Sequence, residues 1–126
     1  MTTEEKRKEL NRLAKTMFKR YVMDDWQLKY FDSPNKITNV GRCAPELKEI
    51  YIANIAIESF TMDSLVDLFK HEFAHGILGL AGILMKHNKI FKQVCKQLGC
   101  TGDVTHNHYE LDYKNLMPTN KNTAKN

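Results

Sequence analysis

Cysteine is scarce in this chain and nowhere arranged as a pair. Cys43, Cys95 and Cys100 are an odd set with no Cys-x-x-Cys spacing. That argues against a disulfide scaffold and against a four-cysteine zinc ribbon, and leaves reduced thiols as the ordinary reading. Long apolar runs are lacking too. The longest nearly charge-free stretch, Phe73 to Met85, is too short to cross a bilayer. The opening residues MTTEEKRKEL have no apolar stretch behind their basic residues, so no secretory signal is read and the expected location is cytoplasmic, without membrane contact. Nor is there a strong excess of one charge. The net charge of +4 permits contact with nucleic acid without demanding it. No internal repeat is found. With 126 residues, 42% hydrophobic and 27% charged, the chain reads as one globular domain, a monomer by default.

What is present has clear periodicity. Leu10, Leu13, Ala14, Met17, Phe18, Tyr21 and Val22 line one face of a helix expected over residues 2–22. Thr2 and Glu5 fit a capping box at its start. The period then changes to alternation in WQLKYF, residues 26–31, a strand that stops at the turn residues DSPN. A second short strand is expected around Ile37 to Cys43 and a third through EIYIAN, giving a small, mostly antiparallel sheet. Thr61 is a natural N-cap for the next helix, with Asp63 favourable in its first turn. That helix ends near Gly82, and another spans about Asn88 to Leu98 before Gly99. HNHYELDY looks like one more strand, and KNLMPTNKNTAKN is a polar tail. The fold class is therefore α+β. Residues 1–113 form the domain and 114–126 the tail, with the histidine-bearing helix packed on the sheet between flanking helices.

That helix carries the chemistry. HEFAH, residues 71–75, is a His-Glu-x-x-His motif. Four residues apart, His71 and His75 project from the same helical face and can share one zinc ion at roughly 2 Å each. Glu72 points to the flank of such an ion, where it can take a proton from the attacking water. By residue frequencies, shuffled chains of this composition contain the motif about once in a hundred. The motif also lies on an apolar helix, where burying a histidine pair without a partner is costly. His87 is a candidate third ligand, with His106 and His108 as rivals. Three protein ligands leave one position open, the catalytic arrangement. Tyr109 and His106 are candidates for oxyanion stabilisation.

The order of these pieces resembles the SprT-like zinc metalloproteases, the family that includes the Spartan proteases. NVGRC, KEIYIAN, SLVDLFKHEFAH and HNKIFKQVCKQLGC are each similar to segments of that family, over roughly residues 5–100. The pattern His87–Phe91–Leu98–Gly99 is the more specific part. The resemblance implies a zincin-like minimal metalloprotease with one zinc ion held by His71, His75 and His87, and Glu72 as catalytic acid and base. It also implies an endopeptidase acting on proteins, in known members proteins crosslinked to DNA. A cysteine-rich zinc ribbon and the long extensions of eukaryotic members have no counterpart here.

Basic stripes bear on DNA as a partner. Lys86, Lys89, Lys92 and Lys96 recur at helical spacing after the third histidine, and Lys8, Arg12, Lys15 and Lys19 line the first helix. Solvated helix faces look the same. Trp26 and Tyr30 are candidates for base stacking, with core packing as their commoner use. The three cysteines are left outside the site. The rival function is a non-catalytic, zinc-stabilised nucleic-acid-binding or adaptor protein.

Overall fold

The structure is a computed structural model and describes residues 1–32, 40–82 and 89–101. His87, Lys86, His106, His108, Tyr109, the expected strand at 106–113 and the tail at 114–126 lie outside the described residues.

The chain begins with helix α1, Thr3–Arg20. Its start is the expected capping box. Glu5 N–H donates to Thr2 Oγ1 at 3.1 Å and Thr2 N–H to Glu5 Oε1 at 2.7 Å. Hydrogen bonds from Thr2 hold the Glu5 carboxyl below its usual range. Leu10, Ala14, Met17 and Phe18 bury the apolar stripe as the periodicity requires. Lys6 continues that stripe one turn earlier, and it is only 1% exposed. Its ammonium donates to the carbonyls of Ile57 at 3.1 Å and Phe60 at 2.8 Å. A buried charge is tolerable only when hydrogen-bonded, and here its bonds close the end of a later helix.

That later helix, α2 (Asn54–Ser59), is an element the periodicity did not reveal. Six residues are too few for a helical period to stand out. It follows directly on the sheet, which comprises β1 (Gln27–Phe31), β2 (Gly41–Ala44) and β3 (Glu49–Ala53). The expected pairing needs correction here. The strand order is β1-β3-β2, with β1 parallel and β2 antiparallel to β3. The sheet is therefore mixed rather than mostly antiparallel. A short turn at Pro45–Leu47 joins β2 to β3 as a hairpin. Residues 32–48 are long enough to act as the crossover that a parallel β1–β3 pair needs.

Helix α3, Met62–Leu80, packs across β2 and β3, and its Thr61 cap accepts from Ser64 N–H at 3.3 Å. Phe18 of α1 joins Phe69 and Phe73 of α3 in an aromatic cluster, with centroids 5.6 to 6.0 Å apart. Gly82, at φ +73°, stands just beyond the helix end, as expected. Helix α4, Lys89–Leu98, lays Phe91, Cys95 and Leu98 inward. No helix among the described residues is long and apolar enough to cross a membrane.

The end of α1 departs from the usual chemistry. Val22 N–H bonds to Lys19 O at 3.2 Å and Met23 N–H to Phe18 O at 2.7 Å. This closure places one residue in the left-handed region, normally glycine. Here it is Val22, at φ 56° and 85% exposed. A β-branched residue is strained there, and its side chain touches little that offsets the strain. Val22→Gly is expected to raise stability by about 1 kcal/mol, read as a higher midpoint in guanidinium unfolding. An unchanged or lower midpoint would show that Val22 carries no such strain.

Candidate metal centre

The site is built on the middle of α3, where the helix faces β2 on one side and α4 on another. His71, Glu72 and His75 are 2%, 5% and 7% exposed. Three polar side chains within two turns of a helix are thus withdrawn from water together, which a fold tolerates only where they serve each other or a ligand.

The two imidazoles have centroids 5.3 Å apart and planes at 73°. Two rings bound to one tetrahedral ion stand with each centroid about 3.2 Å from it and about 109° between them, hence about 5.2 Å apart. The observed spacing fits. Phe91 of α4, itself fully buried, walls the pair in. Its ring stacks on His75 at 4.3 Å and meets His71 edge-on at 5.0 Å. Ring orientation is therefore set by hydrophobic contact from a second helix. Phe91 was legible as an apolar position of α4 and as part of the His87–Phe91–Leu98–Gly99 pattern, and its contact with the histidines appears once α4 is seen against α3.

Glu72 lies on the sheet side. A Cβ placed on Gly41 would come within 2.8 Å of both Glu72 Oε2 and Leu68 Cδ1. Only a residue without a side chain lets β2 approach the carboxyl this closely. The signal was available, since an isolated glycine in a strand marks such an approach. Burial pushes the Glu72 carboxyl up to about 8. On the same strand, burial first, and then Glu72 and Glu46, push the Cys43 thiol well above its usual range.

Other expected residues are placed as follows. Lys89, Lys92 and Lys96 are exposed and share the side of α4 turned away from Phe91. Trp26 is 4% exposed, and Gly76 makes room for its ring, which lies 3.0 Å from where a Cβ would stand. Tyr30 donates its hydroxyl to Asn11 Oδ1 at 2.7 Å, beneath the Arg7 guanidinium. Burial pushes its phenol up to about 12. Both aromatics are thus engaged in the fold rather than presented for base stacking. A groove of about 500 Å³ beside Lys15, Lys19 and Trp26 includes neither the histidines nor Glu72. Among the described residues no group of three or more His, Cys, Asp or Glu side chains gathers as a metal site. The expected third ligand, His87, lies outside them.

A mixed three-stranded sheet carrying a long helix with a buried His-Glu-x-x-His defines the class of domain. The SprT-like family model matches residues 4–115, and the chain belongs to that family. No curated protein and no solved structure matches it.

Two outcomes follow from the packing at Glu72. Because the folded carboxyl titrates near 8 instead of 4.5, its neutral form favours the fold below about pH 4.5. That contribution is lost as pH rises toward 8. Metal-free Glu72→Gln should therefore gain stability relative to the metal-free parent between pH 5 and pH 8. Urea unfolding of both at the two pH values measures this, and parallel pH profiles would contradict it. Gly41→Ala should cost about 1–3 kcal/mol through overpacking against Glu72 and Leu68, read from the same unfolding curves.

Proposed function

We propose that the chain is a zinc-dependent endopeptidase in which His71, His75 and His87 hold one zinc ion and Glu72 is the general acid and base. The observation that carries this is the burial of Glu72 one residue from a matched imidazole pair. A structural zinc site gives a buried carboxyl in that place no task. The Nδ1 atoms of both rings are buried, and this reading assigns Nε2 to the ion.

A zinc ion bound there supplies Lewis acidity to the scissile carbonyl and acidifies the attacking water. The remaining work belongs to the chain. Glu72 accepts the proton of the attacking water and returns it to the leaving amine nitrogen. Burial raises the carboxyl's proton affinity and a bound dication would lower it, opposing effects that leave it able to take the proton and to return it. Gly41 leaves room for the carboxyl against β2, and Phe91 packs on both imidazoles. β2 is an edge strand among the described residues. An extended substrate segment paired along its outer edge would lie beside Glu72, held by main-chain hydrogen bonds that tolerate varied side chains. The outer oxyanion contacts are assigned to Tyr109 or His106.

Proteins bound to DNA are the substrate class this reading favours. Lys89, Lys92 and Lys96 form an exposed row on the outer side of α4, with Lys86 preceding them, and the row can hold a phosphate backbone across the helix from the site.

The test is proteolysis of a DNA-binding protein by the zinc-loaded chain, with and without single-stranded DNA. Glu72→Gln is expected to lower the rate at least about a hundredfold while zinc content stays at one per chain. Cleavage that rises with DNA supports the DNA-linked substrate, and cleavage indifferent to DNA removes it. Zinc retention with no cleavage by the parent chain would overturn the enzyme reading.

A further inference from the structure

Two of the three cysteines have no part in the hydrolytic centre, yet the fold brings them together. α4 ends in the same closure as α1. Gly99 N–H donates to Lys96 O at 3.2 Å and Cys100 N–H to Cys95 O at 2.9 Å, with Gly99 at φ +80°. The two side chains at the ends of the bond that spans five residues in this closure meet as a small contact. In α1 they are Phe18 and Met23, both buried. In α4 they are Cys95, in the core, and Cys100, packed against it.

The backbone bond also limits their separation. With 2.9 Å between Cys100 N and Cys95 O, standard bond lengths keep the two α-carbons within about 6.8 Å. That is the span a disulfide bridges. Cys95 is fully buried and Cys100 is half-buried. The neighbouring Cys95 thiol first, then burial, push the Cys100 thiol well above its usual range against the weaker pull of Lys70, whose Nζ stands 3.7 Å from the Cβ position of Gly99. The Cys100 neighbour lowers the Cys95 thiol. The chain beyond is anchored to α3, because Thr101 N–H and Oγ1 donate to the two carboxylate oxygens of Asp67 at 2.9 and 3.1 Å.

We propose that Cys95 and Cys100 are a modification site, a dithiol that a small disulfide such as oxidised glutathione converts reversibly to an intramolecular disulfide. One thiol of the pair, as its thiolate, attacks one sulfur of the oxidant and expels a thiolate. The other cysteine's sulfur then loses its proton and displaces the second half, forming the Cys95–Cys100 bond. Two thiols and one small disulfide become one protein disulfide and two small thiols, with two electrons passing from the pair. The bond closes the last turn of α4, the helix that presses Phe91 onto the imidazoles. The site stands whether or not the metal centre hydrolyses peptides.

The full chain is equilibrated in glutathione buffers of graded ratio, quenched in acid, denatured and digested with trypsin. Lys96 lies between the two cysteines, so the disulfide joins peptides 93–96 and 97–114 into one species. That species is expected in the parent and in Cys43→Ser, and is absent in Cys100→Ser. The fold should also raise the effective concentration of the pair at least about tenfold over the guanidinium-unfolded chain. A glutathione adduct on Cys100 without the linked peptides, dimers joined through Cys43, or equal effective concentrations in the folded and unfolded chain would each overturn the proposal. In those cases the two thiols are only the apolar contact at a helix end.

Discussion

The contact of Glu72 with Gly41 sets how closely α3 lies on the sheet, and the rest of the centre follows from it. Were β2 to carry a side chain at that point, Glu72 and Leu68 would have to shift from their packed positions. Close seating instead leaves the carboxyl dry and shifts its proton affinity upward through burial alone. The same seating turns His71 and His75 toward α4, where Phe91 meets them. Sheet, helix and third helix thus each contribute one restraint to three polar side chains.

Holding α3 in that position requires bracing from behind. Phe18 reaches Phe69 and Phe73 on the far side of the helix, and Trp26 fills the space opened by Gly76 one residue past His75. Gly76 costs helix propensity, and the buried indole offsets that cost with apolar area. The basic stripe of α1 faces away from this work. The buried stripe, by contrast, admits one charged residue, Lys6, which ties α1 to the end of α2.

Much of this was legible wherever a short-range rule decides the outcome. The Thr2–Glu5 box, the Thr61 cap, the end of α4 before Gly99 and the inward face of Phe91, Cys95 and Leu98 all depend on neighbours within one turn. The strand pairing was not, because DSPN signals a turn without saying whether a hairpin or a crossover follows. The choice is made by β3, which takes β1 on one side and β2 on the other. For the centre, the motif named His71, Glu72 and His75, and the structure brings those three together in burial. Gly41 was legible as an isolated strand glycine and Phe91 as part of the His87–Phe91–Leu98–Gly99 pattern, but their contacts with Glu72 and His71 span 31 and 20 positions of sequence, which periodicity cannot carry. Lys6 was hidden by its charge, although its place four before Leu10 continued the apolar stripe.

Lys6 also gives the molecule a chemical clock. An acylating reagent needs a free amine, and this ammonium is enclosed and bonded to two carbonyls. Its labelling must wait for α1 to part from α2, while the surface lysines react at once. The rate at which Lys6 is modified therefore reports the opening of the N-terminal helix from the body of the domain, a motion whose free energy can lie well below that of global unfolding.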